Sequence, residues 1–287
     1  MSSSRNITGK TRVIAILGYP VEHSLSPAMQ NVEFERLGLD YVYVPASIKP
    51  ENLELGIRGL VAAGIVGMNV TIPHKQAVLP LLTTTSDDAR MVGAVNTIRV
   101  ENGDLHGYNT DIDGWVRDIQ EDILLERNAV CIVGAGGAAR AVAVGAIKSG
   151  ASRLFLCGRN SDTVSALAED IQHRLPEADV SWRQLDDPEC RAQLAASDIV
   201  VNTTPVGMDS SPGMPIPPDW LDEHHYYYDT IYTPGETELM KAARQKGCAV
   251  RGGLGMLAYQ GAEAFQIWTG EYPDVERMKS TLRRILA

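Results

Sequence analysis

Hydrophobic and polar positions in the first hundred residues alternate between the period of a buried strand and that of an amphipathic helix. The strand pattern occupies residues 12–17, 41–46 and 66–72, and apolar residues at helical spacing cover residues 52–63. Ser26-Pro27 is typical of a helix start, with the serine as N-cap and the proline as the first helical residue. This part of the chain therefore predicts alternating strands and helices.

The same alternation continues through the rest of the chain. Asn102-Gly103 separates the apolar segments 95–100 and 105–108, and an Asn-Gly pair in that position predicts a β-hairpin. Further strand patterns occupy residues 129–133, 153–157, 198–201 and 226–229. Helical patterns end at Lys148 and cover residues 163–175 and 254–287. Strands that alternate with helices throughout predict an α/β fold in both halves.

Length and charge limit the classes of function. A chain of 287 residues fits about two domains. Its 26 Lys and Arg residues against 36 Asp and Glu residues give a formal net charge of −10. Such an acidic chain repels phosphates, so we expect no nucleic acid and no membrane surface among its partners.

The cysteines and the apolar segments indicate the compartment. The four cysteines lie far apart and form no C-x-x-C pair, so the sequence predicts no metal site and no redox motif. The chain begins without an apolar leader, and Arg140 and four glycines interrupt the apolar stretch 129–147. We therefore expect a reduced, soluble and cytoplasmic protein.

A glycine-rich turn, Gly134-Ala135-Gly136-Gly137-Ala138-Ala139, lies between a strand pattern and an alanine-rich helix. In this G-x-G-x-x-A pattern the first glycine allows a tight turn, and the second lets a pyrophosphate approach the backbone. The N-terminus of the helix offers N–H groups to the phosphates. The pattern predicts a dinucleotide site, with a ligand-free tight turn as the alternative.

The end of the next strand distinguishes NAD from NADP. An NAD site places an acidic residue there for the ribose hydroxyl, whereas this strand ends in Gly158-Arg159-Asn160. The planar guanidinium of Arg159 suits a 2′-phosphate, which a carboxylate would repel. NADP is therefore favoured, and an ordinary surface arginine is the alternative. Asp162 is predicted to cap the following helix.

Two polar segments are candidates for the reaction centre. A ketone reductase needs a proton source and groups that orient its substrate. Two-residue spacing places Asn69 and Thr71 on one face of a strand, and Lys75 follows the strand end. Asp111 comes where the second α/β half begins. Lys75 and Asp111 can form an ion pair that relays a proton, although each alone is also typical of a surface or turn residue.

Eight segments in order resemble the shikimate dehydrogenase family, whose members reduce 3-dehydroshikimate with NADPH. They cover nearly the whole chain, at residues 18–27, 69–75, 93–97, 107–111, 134–140, 202–208, 229–232 and 253–260. Two positions depart from the pattern. Many relatives have an aromatic residue in place of His74, and an Asn-Arg-Thr triplet in place of Gly158-Arg159-Asn160.

The resemblance implies roles for individual residues. Lys75 and Asp111 would be the catalytic pair, with Lys75 donating the proton and Asp111 fixing its orientation. The residues that bind substrate would be Ser24, Ser26, Asn69, Thr71, Asn96, Tyr232 and Gln260. The residues that bind the cofactor would be Gly134, Ala135, Gly136, Gly137, Ala138, Arg159, Asn202, Thr203 and Gly253.

The resemblance also implies a domain organisation and an activity. Residues 1–110 would form a substrate-binding and catalytic domain that residues 253–287 rejoin, and residues 111–252 a Rossmann-type NADP-binding domain. The expected activity is NADP-dependent, reversible reduction of 3-dehydroshikimate to shikimate, on the route to chorismate and the aromatic amino acids. The alternatives are an NAD-preferring quinate/shikimate dehydrogenase and a non-catalytic NADP-binding regulator. A homodimer is left open.

Overall fold

A six-stranded sheet lies at the centre of each of two units in the computed structural model, which describes residues 7–232 and 235–287. The first unit contains the described residues up to Thr110 together with residues 260–285, and the second contains the described part of residues 111–259. Each sheet carries helices from its own unit. The predicted α/β fold is therefore confirmed.

The strands are numbered along the chain. They are β1 (Arg12–Gly18), β2 (Tyr41–Ser47), β3 (Gly67–Val70), β4 (Thr84–Thr85), β5 (Thr97–Glu101), β6 (Asp104–Tyr108), β7 (Ala129–Val133), β8 (Arg153–Gly158), β9 (Val180–Gln184), β10 (Ile199–Asn202), β11 (Tyr226–Asp229) and β12 (Ala249–Gly252).

The helices follow the same numbering. They are α1 (Ser26–Arg36), α2 (Leu53–Ala62), α3 (Asp87–Val92), α4 (Asp111–Ile119), α5 (Gly137–Lys148), α6 (Ser161–Arg174), α7 (Pro188–Ala195), α8 (Glu238–Gln245), α9 (Leu254–Thr269) and α10 (Val275–Leu286). Among the described residues, no helix has the length and apolarity needed to cross a membrane.

The sheet of the first unit mixes parallel and antiparallel strands. Its order is β2-β1-β3-β5-β6-β4, and β5 runs antiparallel to both β3 and β6. The predicted hairpin joins β5 to β6, where Asn102 and Gly103 both have positive φ, as a type I′ turn requires. Phe34 of α1 stacks on Phe265 of α9 with ring centroids 4.7 Å apart, which holds these two helices together.

Two local predictions in the first unit are wrong. The N-cap of α1 is Leu25, and Ser26 is the first helical residue, so the serine does not cap the helix. Strand β3 ends at Val70, two residues before the predicted end, because the chain turns ahead of Pro73. Thr71 therefore follows the strand, and the two-residue spacing that pairs it with Asn69 does not apply.

The sheet of the second unit is entirely parallel. Its order is β12-β11-β10-β7-β8-β9, which is the doubly wound arrangement of dinucleotide-binding folds. One face packs against α4, α5 and α6 through side chains such as Trp115, Val142 and Leu167. The other face packs against α7 and α8, through Leu194 and Leu239 among others. Burial on both faces explains why the central strands are continuous apolar runs.

A single arginine holds three carboxylates together in the second unit. Arg251 of β12 donates to Oδ1 of Asp118 through Nε at 3.0 Å and through an Nη at 2.6 Å. It also binds Glu121, and its other Nη lies 2.8 Å from Asp122. Asp118 is fully buried, whereas Glu121 and Asp122 are exposed. We call these four residues the Arg251 cluster.

Three tyrosines complete the hydrogen bonding of the Arg251 cluster. Their hydroxyls donate to the carboxylates at 2.6–2.7 Å, Tyr228 to Asp118, Tyr226 to Asp122 and Tyr259 to Glu121. A Cβ at Gly255 would lie 1.7 Å from a carboxylate oxygen of Asp118, so α9 begins directly against this buried charge. The cluster therefore joins α4, β11, β12 and the start of α9.

Candidate active site

Polar side chains from separate elements meet in one network in the first unit. Asn69 of β3 donates through Nδ2 to the carbonyl of Asn96 and to Oγ1 of Thr97, both at 3.0 Å. Asn96 accepts from the N–H of Thr110 at 2.8 Å, and its Nδ2 lies 3.4 Å from Oε1 of Gln260. All but Gln260 are buried. Buried amides connected in this way have fixed orientations, so the network presents a rigid polar surface.

Lys75 lies in the turn that follows β3. Its carbonyl accepts a hydrogen bond from the N–H of Val95 at 2.8 Å, which ties the turn to the residue before Asn96. The neighbouring His74 is buried and donates from Nε2 to the carbonyl of Ile48 at 2.7 Å. His74 thus anchors the turn, and the Lys75 side chain is half-buried.

Ser24 and Ser26 lie between β1 and the first turn of α1, and Thr71 follows β3. The N–H of Ser26 donates to Oγ of Ser24 at 3.3 Å. Thr71 is half-buried and covers Gly18, where a Cβ would lie 2.5 Å from its methyl group. The absence of a side chain at Gly18 is therefore what lets Thr71 approach β1.

The glycine-rich turn of the second unit fits a dinucleotide. Gly134 has a φ of +117°, and a Cβ there would lie 2.6 Å from Oγ1 of Thr203, so the turn requires glycine. A Cβ at Gly136, the N-cap of α5, would meet no described atom within 4 Å. No described side chain caps this helix, which leaves its N-terminus to an anion. The other residues of the turn, Ala135, Gly137 and Ala138, are half-buried.

Asn202 is buried at the end of β10 and its amide is used within the protein. Its Nδ2 donates to Oδ1 of Asp229 at 3.0 Å and to the carbonyl of Val206 at 3.2 Å, while its Oδ1 accepts from Thr204. Burial raises the pKa of Asp229, although several hydrogen bonds to its carboxylate oppose the shift. The Asn202 side chain therefore holds the loop that follows β10.

Three further predicted residues lie at the ends of elements in the second unit. Asp111 is buried and begins α4, where the helix N-terminus favours a carboxylate. Tyr232 lies three residues beyond β11, and burial raises its pKa. Gly253 precedes α9, and a Cβ there would lie 2.2 Å from the carbonyl oxygen of Thr230, so a larger residue would displace the backbone.

Arg159 is exposed directly after β8. Its carbonyl accepts from Nε2 of Gln184 at 3.1 Å, which holds the backbone at this position. The following residue, Asn160, is the N-cap of α6 and accepts from the N–H of Thr163 at 3.1 Å. The prediction that Asp162 caps α6 is therefore wrong, because Asn160, directly before the helix, is the N-cap.

Similarity to known proteins covers both units. Residues 16–98 match the family model described as shikimate dehydrogenase substrate binding domain, and residues 253–283 match the shikimate 5'-dehydrogenase C-terminal domain. The chain is 41% identical over 285 residues to the shikimate dehydrogenase (NADP(+)) of Methanothermobacter thermautotrophicus, with 98% of this chain and 99% of the relative covered. The chain belongs to the shikimate dehydrogenase family. The predicted family membership is confirmed.

Two further members of the shikimate dehydrogenase family support this assignment. The shikimate dehydrogenase (NADP(+)) of Citrifermentans bemidjiense is 44% identical over 280 residues, with 96% of each chain covered. A crystal structure of a shikimate dehydrogenase in complex with NADP+ superposes with a TM-score of 0.92 at 41% identity, with 98% of each chain covered. These relatives do not favour the NAD-preferring quinate dehydrogenase or the non-catalytic regulator.

Three polar residues that bond to Asn69 or Asn96 were not predicted from the sequence as site residues. They are Tyr43, Thr97 and Thr110. The two threonines lie within segments that carry the family resemblance, next to Asn96 and Asp111. Tyr43 lies in an alternating strand, where a tyrosine on the buried face needs a partner for its hydroxyl. This need of a buried hydroxyl for a hydrogen-bond partner could have identified Tyr43 from the sequence.

One group of side chains among the described residues has the composition of a metal site. The ligand atoms of Asp222, His224 and His225 lie within 4.8 Å of one another. His225 is buried, however, and its Nδ1 accepts from the N–H of Asp222 at 3.1 Å, so this ring serves the loop itself. The expectation that the chain has no metal site stays a prediction.

Proposed function

We propose that this chain catalyses the NADP-dependent, reversible reduction of 3-dehydroshikimate to shikimate, a step on the route to the aromatic amino acids. The observation that carries the proposal is the network of Asn69, Asn96 and Gln260. Separate elements bring these amides together in the unit that matches the substrate binding domain. A small molecule with several ring hydroxyls needs such fixed donors and acceptors.

Lys75 and Asp111 are the proposed catalytic pair. When bound, NADPH would supply the hydride that the keto carbon receives. Lys75 donates a proton to the oxygen that becomes the hydroxyl, and its ammonium stabilises the negative charge that develops there. Asp111 holds that ammonium in place. In the direction of oxidation Lys75 takes the proton back.

The remaining predicted residues bind and orient the substrate. The hydroxyls of Ser24 and Ser26, with Tyr232, bind the carboxylate. Asn69, Thr71, Asn96 and Gln260 bind the ring hydroxyls. Neutral donors suit a chain whose net charge is −10, because few cations are present to attract an anion over a distance.

The cofactor would be held by residues of the second unit. The turn from Gly134 to Ala138 would hold the pyrophosphate, and the open space beside Gly136 leaves its backbone accessible. Arg159 would hold the 2′-phosphate. Thr203 and Gly253 shape the neighbouring backbone, and Asn202 acts by holding the loop after β10.

The activity is tested with the absorbance of reduced nicotinamide. We expect NADPH to be consumed with 3-dehydroshikimate, and NADP+ to be reduced with shikimate. Shikimate and quinate are each assayed with NADP+ and with NAD+. Faster turnover of quinate with NAD+ would assign the chain to the quinate alternative, and no turnover with any pair would assign it to the regulator.

Arg159→Ala is expected to raise the KM for NADP+ about 10- to 100-fold, because a charge-assisted hydrogen bond to the 2′-phosphate is lost. The KM for NAD+ should change less than about twofold, since NAD+ has no phosphate there. The matched control is Arg153→Ala at the opposite end of the same strand, where Arg153 donates to the carbonyl of Ala196. Equal losses for both cofactors would contradict the assignment.

The location and the partners follow from the same proposal. The acidic charge supports a small-molecule ligand rather than nucleic acid or an anionic membrane. A cytoplasmic location, a homodimer and the domain boundaries at residues 110 and 253 stay predictions. Size-exclusion chromatography with light scattering tests the oligomeric state.

A further inference from the structure

Tyr43 contacts Asn69, a residue that the proposed function places against the substrate. Its hydroxyl donates to Oδ1 of Asn69 at 2.6 Å. Tyr43 is 2% exposed, and Asn69 is also buried. Because Asn69 Oδ1 can only accept, the proton of Tyr43 points to Asn69. The direction of this hydrogen bond is therefore fixed.

The position of the Tyr43 ring is determined by the sheet and by α9. Tyr43 is paired with Ile14 of β1, which is paired in turn with Gly67 of β3, so the ring reaches across a strand to Asn69. Trp268 packs against it with ring centroids 5.9 Å apart. A Cβ at Gly67 would lie 2.4 Å from the Trp268 ring, so glycine makes room for the indole. The Tyr43 hydroxyl therefore has little freedom to move.

The contacts of Asn69 decide what it offers to a ligand. Both hydrogens of its Nδ2 have partners, the carbonyl of Asn96 and Oγ1 of Thr97. Its Oδ1 accepts one hydrogen bond, from Tyr43, and a carbonyl oxygen has two lone pairs. What remains is a single acceptor of fixed direction, which suits a hydroxyl of the substrate and rejects a carbonyl.

We infer that Tyr43 is a positioning residue for shikimate binding, which fixes the amide oxygen of Asn69 as an acceptor; the inference rests on the proposed function. Tyr43 acts through Asn69 and needs no contact with the substrate. Loss of its hydroxyl removes one of the three hydrogen bonds that hold the Asn69 amide, so substrate affinity falls while the reacting groups stay in place.

The test uses Tyr43→Phe, which keeps the ring against Trp268 and removes one oxygen. The chain offers a matched control in Tyr41→Phe, since Tyr41 lies on the same face of β2 but its hydroxyl accepts from Arg12 at 2.7 Å. Shikimate affinity is measured by calorimetry, separately from turnover. We expect Tyr43→Phe to weaken shikimate binding about tenfold, and Tyr41→Phe less than about twofold. NADP+ binding should be unchanged in both.

A double variant distinguishes positioning from general stability. If Tyr43 acts through Asn69, then Asn69→Ala with Tyr43→Phe should bind shikimate within about twofold of Asn69→Ala alone. If the double variant lost the product of the two single-variant losses in shikimate affinity, the inference would be overturned. Equal shikimate affinity in Tyr43→Phe and Tyr41→Phe would also overturn it, whatever their melting temperatures. If the variants show this pattern of shikimate affinity but the wild-type protein does not oxidise shikimate, the proposed function would be contradicted. The positioning role of Tyr43 in shikimate binding would still hold.

Discussion

Lys75→Ala is expected to lower kcat for shikimate oxidation by about two to four orders of magnitude, because the reaction loses a positioned proton donor and acceptor. The affinity for NADP+ should be nearly unchanged, since the proposed cofactor residues lie in the second unit. Steady-state kinetics in both directions measure kcat, and fluorescence titration with NADPH measures cofactor binding. A kcat within a few-fold of wild type would contradict the proposed proton route.

Two further lysine variants sharpen this result. Lys75→Arg keeps the positive charge, but a guanidinium does not give up its proton in proteins. If Lys75 transfers a proton, kcat of Lys75→Arg should therefore be nearly as low as that of Lys75→Ala. If only the positive charge matters, Lys75→Arg should recover much of the wild-type kcat. Lys10→Ala, at an exposed position of the same unit, is the control and should behave as wild type.

Arg251→Met is expected to lower the free energy of unfolding by about 3 kcal/mol, because the buried carboxylate of Asp118 loses its charged partner. Methionine keeps most of the apolar stem of the arginine, so the loss reports on the charge rather than on packing. Urea titration followed by circular dichroism measures the change. A loss below about 1 kcal/mol would mean that the Arg251 cluster does not hold α4, β12 and α9 together.

The pH dependence and a surface control separate this effect from general destabilisation. Burial raises the pKa of Asp122, but hydrogen bonds from Tyr226 and Arg251 outweigh burial and hold it below its ordinary value. A carboxylate with a lowered pKa stabilises the protein above its ordinary pKa, and this contribution is lost as the pH falls. The difference in the free energy of unfolding between wild type and Arg251→Met should therefore become smaller below about pH 4. Arg191→Ala removes an exposed pair with Asp219 and should cost less than about 1 kcal/mol.

The central strands of the second unit could be predicted from the sequence because burial on both faces leaves an uninterrupted apolar run. The predicted bounds of β7 and β11 are those that the structure has. The edge strands β9 and β12 were not predicted. Each has residues that are exposed or half-buried, so polar side chains interrupt the run and no period is visible.

Helix starts were predicted less well than helix interiors. The apolar face of α6, with Val164, Leu167 and Ile171, agrees with the predicted pattern. Its N-cap is Asn160 rather than Asp162, and the N-cap of α1 is Leu25 rather than Ser26. At α6 several neighbouring polar residues could each accept the same N–H, whereas at α1 the N-cap is a leucine without a side-chain acceptor. The N-cap is therefore decided by the backbone conformation before each helix.

The sequence by itself determined the α/β class, the glycine-rich turn and the family, because periodicity and turn chemistry depend on residues a few positions apart. Only the tertiary structure decided the partners of the polar side chains: Asn202 bonds to Asp229, and Tyr43 bonds to Asn69. Residues 43 and 69 approach each other only when β2, β1 and β3 have paired in one register. A hydrogen bond between them is a property of that register, which no local pattern encodes.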